Sequence, residues 1–186
     1  EEISRFLILR ELIDNGYLVD YNFIFAIFGD KDKENVENKK GENPSDKDIA
    51  KYIITKGEAH MIIYTPSIPN AKAFTKILNH LLPGSADCVH SERPKKQQEI
   101  ALSKFEEGSI RFLVNVRILE EGYDIPICSS ILCLNVPSSD MRRLAQRIGR
   151  PLRLYEGKTV ANIYLPRISN DEKNQKSIST FLREFS

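Results

Sequence analysis

The stretch "LAQRIGRPLR", Leu144 to Arg153, gathers Gln146, Arg147, Arg150 and Arg153 without an acidic side chain among them. Gln146, Gly149, Arg150 and Arg153 stand at i, i+3, i+4 and i+7, the spacing of one helical face. A guanidinium is a rigid fork of donors that matches phosphate oxygens, so a convergent Arg150 and Arg153 could hold a terminal phosphate and stabilise charge during its transfer. Pro151 bears on this, because its ring clashes with the carbonyl of Arg147. The helix is therefore expected to end or kink near Arg150, with Arg153 projecting from a turn and Arg147 pointing elsewhere. The alternative is a basic surface helix paired with acids from other parts of the fold.

A second segment, "NVRILEEGYDIP", places Gly122 and Asp124 at the end of a loop that follows an apolar run. Gly122 would let backbone approach a ligand closely, and Asp124 could accept from a ribose hydroxyl or position an arginine. Taken alone, such a glycine, aspartate and proline cluster is also an ordinary turn. Tyr123 between them could stack on a base or simply pack.

The elements that would position these residues alternate along the chain. A helical spacing at Phe6, Leu9, Leu12 and Ile13 precedes Gly16, which stands where a helix ends, and a strand is expected from about Leu18 to Phe28. The segment "GDKDKENVENKKGENPSDKD" carries Val36 as its sole apolar residue and reads as a solvated, mobile loop over 29–46. Ser45, with Asp48 three residues on, predicts a capped helix from Asp46 to Lys56. Further helices are predicted over Pro69–Leu82, Pro94–Glu107 and Ser139–Arg150. Strands are predicted at "MIIYT", Asp87–His90, Ile110–Val116, Ile131–Asn135 and Val160–Leu165. Short, wholly apolar strands between helices indicate an α/β fold, a parallel sheet with helices on both faces. In open sheets of this kind ligands gather at the carboxyl ends of the strands, so the loops "TPSIPN", "HSERPKK", "VRILEEGYDIP" and "VPSSD" are the ones expected to hold most of the unusual chemistry.

Composition narrows the classes. The 186 residues include 27 Lys and Arg against 26 Asp and Glu, a formal charge of +1, so anion binding must come from a local arrangement. Cys88, Cys128 and Cys133 form no C-x-x-C pair and lie in apolar stretches, as reduced buried thiols of an intracellular protein do; neither a metal site nor a disulfide framework is expected. The longest apolar run, Phe23 to Phe28, is far below the roughly 18–20 residues that span a bilayer, and no signal-peptide pattern is present, so no membrane partner is expected. The chain begins at Glu1 rather than methionine, which suggests a piece of something longer.

Taken together, these segments resemble the C-terminal RecA-like domain of superfamily 2 helicases. Gln146-x-x-Gly149-Arg150-x-x-Arg153 resembles helicase motif VI, "VRILEEGYDIP" motif V, and "MIIYTPSIPNAKAFTKIL" the motif IV strand with its helix. "HSERPKKQQEIALSKFEEGSIRFLVNV" is similar to the usual passage between them. "ELIDNGYLVDY" resembles the connection from a first motor domain, and "GKTVANIYLP" the strand after motif VI in relatives of the restriction-enzyme and viral DNA helicase branch. The resemblance covers roughly residues 5 to 166. It implies a connection over 1–20, the RecA-like domain over 21–168 and a C-terminal helical extension over 169–186.

By the same resemblance, Arg150 and Arg153 would act as arginine fingers on the γ-phosphate of ATP held by an N-terminal RecA-like domain, with Gln146 positioning water or phosphate. Gly122, Asp124 and Gly149 would face the nucleotide. Thr65, Ser67, His90, Ser91 and Arg117 would lie along a nucleic-acid backbone, DNA in preference to RNA. His90 is equally readable as a structural cap, and Lys95 and Lys96 as a phosphate contact or a solvated pair. Two departures stand out. Val116 occupies the position where many relatives carry threonine, which leaves Arg117 as a replacement contact, and Pro151 directly follows the first finger. In a viral relative the setting could be a virion; otherwise cytoplasm or nucleus is implied.

No G-x-x-x-x-G-K-[ST] phosphate loop and no D-E-x-H type acidic motif occurs, so Mg²⁺ would be held by the absent first domain and this domain would not hydrolyse ATP alone. "GKT" at Gly157 to Thr159 lacks the upstream glycine and reads as a turn. The competing readings are a RecA-like module that binds nucleic acid or a partner without hydrolysis, and a free-standing nucleotide-binding enzyme, which the lack of a glycine-rich loop disfavours.

Overall fold

In the computed structural model, residues 10–24, 44–120, 123–134 and 141–166 are described. The expected loop therefore lies outside the described residues over 29–43, as do the expected extension over 169–186 and the first part of the expected connection.

Among the described residues six parallel strands form one sheet: β1 (Asp20–Ile24), β2 (Met61–Tyr64), β3 (Ala86–Val89), β4 (Phe112–Asn115), β5 (Ser130–Cys133) and β6 (Val160–Tyr164). Their spatial order is β1-β6-β5-β2-β4-β3. The helices between them are α1 (Asp46–Thr55), α2 (Ile68–Leu81), α3 (Lys95–Glu106) and α4 (Met141–Ile148). This is the RecA-like α/β arrangement expected of the chain.

Strand alternation divides the core in two. Ile62, Tyr64, Leu113, Ile131, Cys133, Ala161 and Ile163 face the side on which α3 sets Ala101, Leu102 and Phe105, and α4 sets Leu144 and Ile148. Met61, Ile63, Phe112, Val114, Leu132 and Tyr164 face the opposite side, covered by Ile49, Ala50 and Ile53 of α1 and Ala71, Phe74 and Leu78 of α2. Both faces are covered, which is why β2, β4 and β5 are buried throughout and largely apolar without alternation.

Local chemistry sets the boundaries. Ser45 accepts the N–H of Asp48 at 3.3 Å and starts α1, a cap worth about 1 kcal/mol. Ser67 receives the N–H of Asn70 in the same way, so α2 opens at Ile68 with Pro69 in its first turn, one residue earlier than expected. Gly16, at φ +74°, ends the helical residues 10–14. β1 begins at Asp20 rather than Leu18, because Leu18 forms an antiparallel bridge with Arg153 and Val19 donates its N–H to Leu152 O at 2.9 Å. α4 stops at Ile148, short of the expected Arg150. Gly149 still donates to Ala145 O at 3.0 Å, but Arg150 and Arg153 donate to carbonyls only three residues back, Arg147 O and Arg150 O, and Pro151 has no N–H to donate.

Candidate functional site

The arginines leave α4 on a turn. α4 follows β5 and runs back along the sheet, so it delivers Arg150 and Arg153 to the amino ends of the strands. Three contacts fix that placement. Arg153 bridges to Leu18 just before β1. Lys158, just before β6, donates its Nζ to Pro126 O at 3.0 Å and Cys128 O at 3.1 Å. Ser129, which precedes β5, donates its N–H to the carbonyl of His60, which precedes β2. Most of the unusual chemistry is expected in loops at the carboxyl ends; one of those loops, the segment after β4, instead ends with Tyr123 and Asp124 at the amino rim beside the arginines.

At that rim Arg150 donates Nη1 to Tyr123 O at 2.5 Å, and Arg153 forms an ion pair through its Nη1 with Asp124. Both arginines are thereby held by consecutive residues of one segment. Arg153 and Asp124 keep much of their surface in solvent, with side chains 45% and 68% exposed, so neither is used up by the core. Tyr123 packs partly against the core cluster. Gln146 is exposed on the helix that leads to the turn. Gly149 has no positive φ, and a Cβ there would make only ordinary contact with Ala145 O at 3.6 Å. Gly122 lies outside the described residues.

Lys158 is the rim residue that sequence reading set aside within "GKT". Gly157, at φ +76°, makes the turn, and Lys158 reaches under the Asp124 segment to hold two of its carbonyls. Desolvation lowers its pKa, with the nearby Arg153 acting in the same direction. A lysine two residues before a strand is too common a pattern to single it out.

The remaining candidates cluster at the carboxyl rim. Thr65 follows β2 and is buried; its N–H donates to Asn115 O at 3.0 Å and its hydroxyl to the same carbonyl at 3.3 Å. Ser67 caps α2. His90 follows β3 and is buried, 5% exposed as a residue; its carbonyl accepts from Arg93 N–H at 3.0 Å and from Gln98 Nε2 at 3.3 Å, so the residue organises the turn into α3. Desolvation lowers the pKa of its imidazole, and Lys72 adds to the effect. Ser91 is exposed beside it, as are Lys95 and Lys96 at the start of α3. Arg117 follows β4, exposed, in the left-handed region at φ +62°. Asn115 stabilises that corner: fully buried, its Oδ1 accepts the N–H of Leu119 at 3.1 Å and holds the short 3₁₀ turn Ile118–Glu120.

The candidate residues thus fall into two groups on opposite rims of one sheet. Among the described residues there is no cluster of three His, Cys, Asp or Glu side chains that could hold a metal ion, and no helix is long and apolar enough to cross a membrane.

Comparison with known proteins names this arrangement. Residues 46–155, from α1 to the turn beyond the arginines, match the helicase conserved C-terminal domain. The chain belongs to that family. It is the C-terminal RecA-like domain of superfamily 2 helicases. The chain is similar to the ATP-dependent DNA helicase MPH1 of Pyricularia oryzae, 33% identical over 151 residues, which cover 70% of this chain and 14% of that protein. It is also similar to the ATP-dependent RNA helicase CHR1 of Candida albicans, 34% identical over 91 residues, 48% of this chain and 15% of that one. Among solved structures, S. cerevisiae Dbp5 bound to RNA and ADP BeF3 superposes with a TM-score of 0.62 at 17% identity, covering 91% of this chain and 40% of that chain. The helicase domain therefore spans only a small part of the curated relatives it matches. Those relatives include both DNA and RNA helicases, so membership in the family does not select the restriction-enzyme and viral branch.

Proposed function

We propose that this domain is the second motor of an ATP-dependent superfamily 2 helicase or translocase. Arg150 and Arg153 supply the charge that stabilises phosphoryl transfer on ATP held, with its Mg²⁺, by an N-terminal RecA-like domain of the same polypeptide. The observation that carries this reading is the paired anchoring of Arg150 on Tyr123 O and Arg153 on Asp124, which ties both guanidinium groups to consecutive residues of one segment at the amino rim. A chain without a phosphate loop of its own gains nothing from that arrangement until a phosphate is presented from outside. Gln146 positions water or phosphate, while Gly122, Asp124 and Gly149 line the nucleotide side. At the opposite rim Thr65, Ser67, His90, Ser91 and Arg117 follow a nucleic-acid backbone, through main-chain groups and hydroxyls more than through base edges. DNA is the preferred track. The resemblance of the strand after the arginines to restriction-type and viral DNA helicases supports it, as does the longer match to a DNA helicase than to an RNA helicase.

The test is ATPase activity of the full-length parent with DNA and with RNA as separate stimulants, wild type beside Arg153→Ala. A stimulated wild type, with a variant that loses at least a hundredfold in kcat while still binding nucleic acid, supports the reading. The better stimulant identifies the track. Equal activity of the two proteins removes Arg153 from the finger role, and a parent that hydrolyses no ATP leaves a nucleic-acid or partner-binding module.

A further inference from the structure

Tyr64 closes β2 on the face covered by α3 and α4, with its ring almost wholly enclosed. Its hydroxyl is buried without a hydrogen-bond partner among the described residues, and burial pushes the phenol far above its ordinary pKa, so the ring is neutral. Above the ring lies the guanidinium of Arg147, its Cζ 4.7 Å from the ring centroid. A partly buried guanidinium over an enclosed ring is among the stronger contacts of this kind. Arg147 belongs to α4, three residues before Arg150. The residue after Tyr64 is Thr65, tied by two hydrogen bonds to Asn115 O at the carboxyl rim. Two consecutive residues at one strand end therefore connect the arginine helix to the opposite rim.

We propose that Arg147 is a positioning residue, seated on Tyr64, and that this contact couples the Thr65 loop to Arg150 and Arg153. The inference rests on the motor reading above, and it assigns Arg147 a role distinct from those of its neighbours. Arg150 and Arg153 are held on the Tyr123–Asp124 segment, and although the charge of Arg150 also reaches the Tyr64 hydroxyl, it is Arg147 whose guanidinium lies over the Tyr64 ring. A shift of Thr65 when a backbone is gripped moves Tyr64, and Tyr64 carries α4 with it through a contact between packed, discrete side chains.

A double-mutant cycle in the full-length parent tests the coupling, with nucleic-acid-stimulated kcat and the KM for ATP as readouts. Tyr64→Phe keeps the ring face and should stay within about twofold of wild type. Tyr64→Leu and Arg147→Gln should each lower stimulated kcat by about tenfold, with KM for ATP within about threefold, and the double variant should be no worse than either. Additive losses in an active parent overturn the coupling alone. So does a neutral Tyr64→Leu beside an Arg147→Gln that loses chiefly in KM, which would make Arg147 a phosphate contact. A parent without ATPase activity overturns the coupling together with the motor reading. Should Tyr64→Leu fail to melt cooperatively, Arg147→Lys decides: it keeps a cation over the ring and should retain activity within about threefold, whereas a loss equal to that of Arg147→Gln counts against the contact.

Discussion

Arg153 forms an ion pair with Asp124, joining the turn after α4 to the segment after β4 at the amino rim of the sheet. Both side chains remain substantially exposed, so the pair is screened by water and contributes little to folding. Its value lies in orientation. Arg153→Ala should lower the ATPase kcat of the full-length parent by on the order of 10³ while shifting the melting temperature little. Asp124→Asn keeps a hydrogen-bond acceptor but drops the charge, and should cost about tenfold in kcat. Steady-state kinetics beside thermal melts check both. A large drop in melting temperature for either variant would mean that the pair holds the fold rather than aims the arginine.

Arg117 pays a conformational penalty at φ +62°, roughly 1–2 kcal/mol for a residue with a Cβ. Arg117→Gly removes that penalty and the charge together. The melting temperature should hold or rise, while affinity for nucleic acid falls and its salt dependence flattens by about one charge. Titrations at two salt concentrations separate the two effects. Unchanged affinity and slope would take Arg117 out of the nucleic-acid path.

His60 and His90 both have lowered pKa values, His60 through desolvation and His90 through desolvation with Lys72 beside it. A histidine kept neutral in the folded state binds its proton more readily once unfolded. Its stabilising contribution is therefore present above the ordinary value of 6.5 and is lost as pH falls below it towards the folded value. Melting temperature should decline on acidification below pH 6.5, and His60→Gln and His90→Gln should each flatten the decline. A flat wild-type profile between pH 7 and 5 would contradict this.

Cys128 is fully buried, and burial pushes its thiol up to about 12; Cys133 is buried and Cys88 half-buried with its own pKa raised. Thiolate is the reactive form, so native protein at neutral pH should alkylate far more slowly than a free thiol, Cys88 ahead of the other two. Unfolding in denaturant should release all three. Mass spectrometry after timed iodoacetamide exposure reads the order, and fast native labelling of Cys128 would show that the packing at the start of β5 opens.

Much of the framework was legible in the residues themselves. "MIIY", "FLV" and "ILC" are continuous apolar runs because both sheet faces are covered, and Ser45, Gly16 and Pro151 mark element ends through local backbone constraints that the sequence displays directly. The rim on which the arginines sit was not legible, because it follows from α4 running back along the sheet and from the segment after β4 crossing it. Arg147 over Tyr64, and Lys158 under Cys128, are contacts between elements remote in sequence, and no spacing rule joins them.

Lys158 offers the sharpest test of the amino rim, because it supports the Asp124 segment without belonging to the arginine turn. Its ammonium replaces solvent at the carbonyls of Pro126 and Cys128, and charge-assisted donors of this kind contribute about 1.5–3 kcal/mol when their acceptors have no substitute. Lys158→Met fills the same space but leaves two carbonyls without a donor. The variant should melt several degrees lower, and it should lose stimulated ATPase activity by about tenfold through a displaced Asp124 and thus a misaimed Arg153. Combining Lys158→Met with Asp124→Asn separates the stability effect from the aiming effect. If Lys158 acts through Asp124, the kinetic losses do not add while the melting temperature stays where Lys158→Met sets it. Additive kinetic losses would instead place Lys158 in independent contact with the nucleotide.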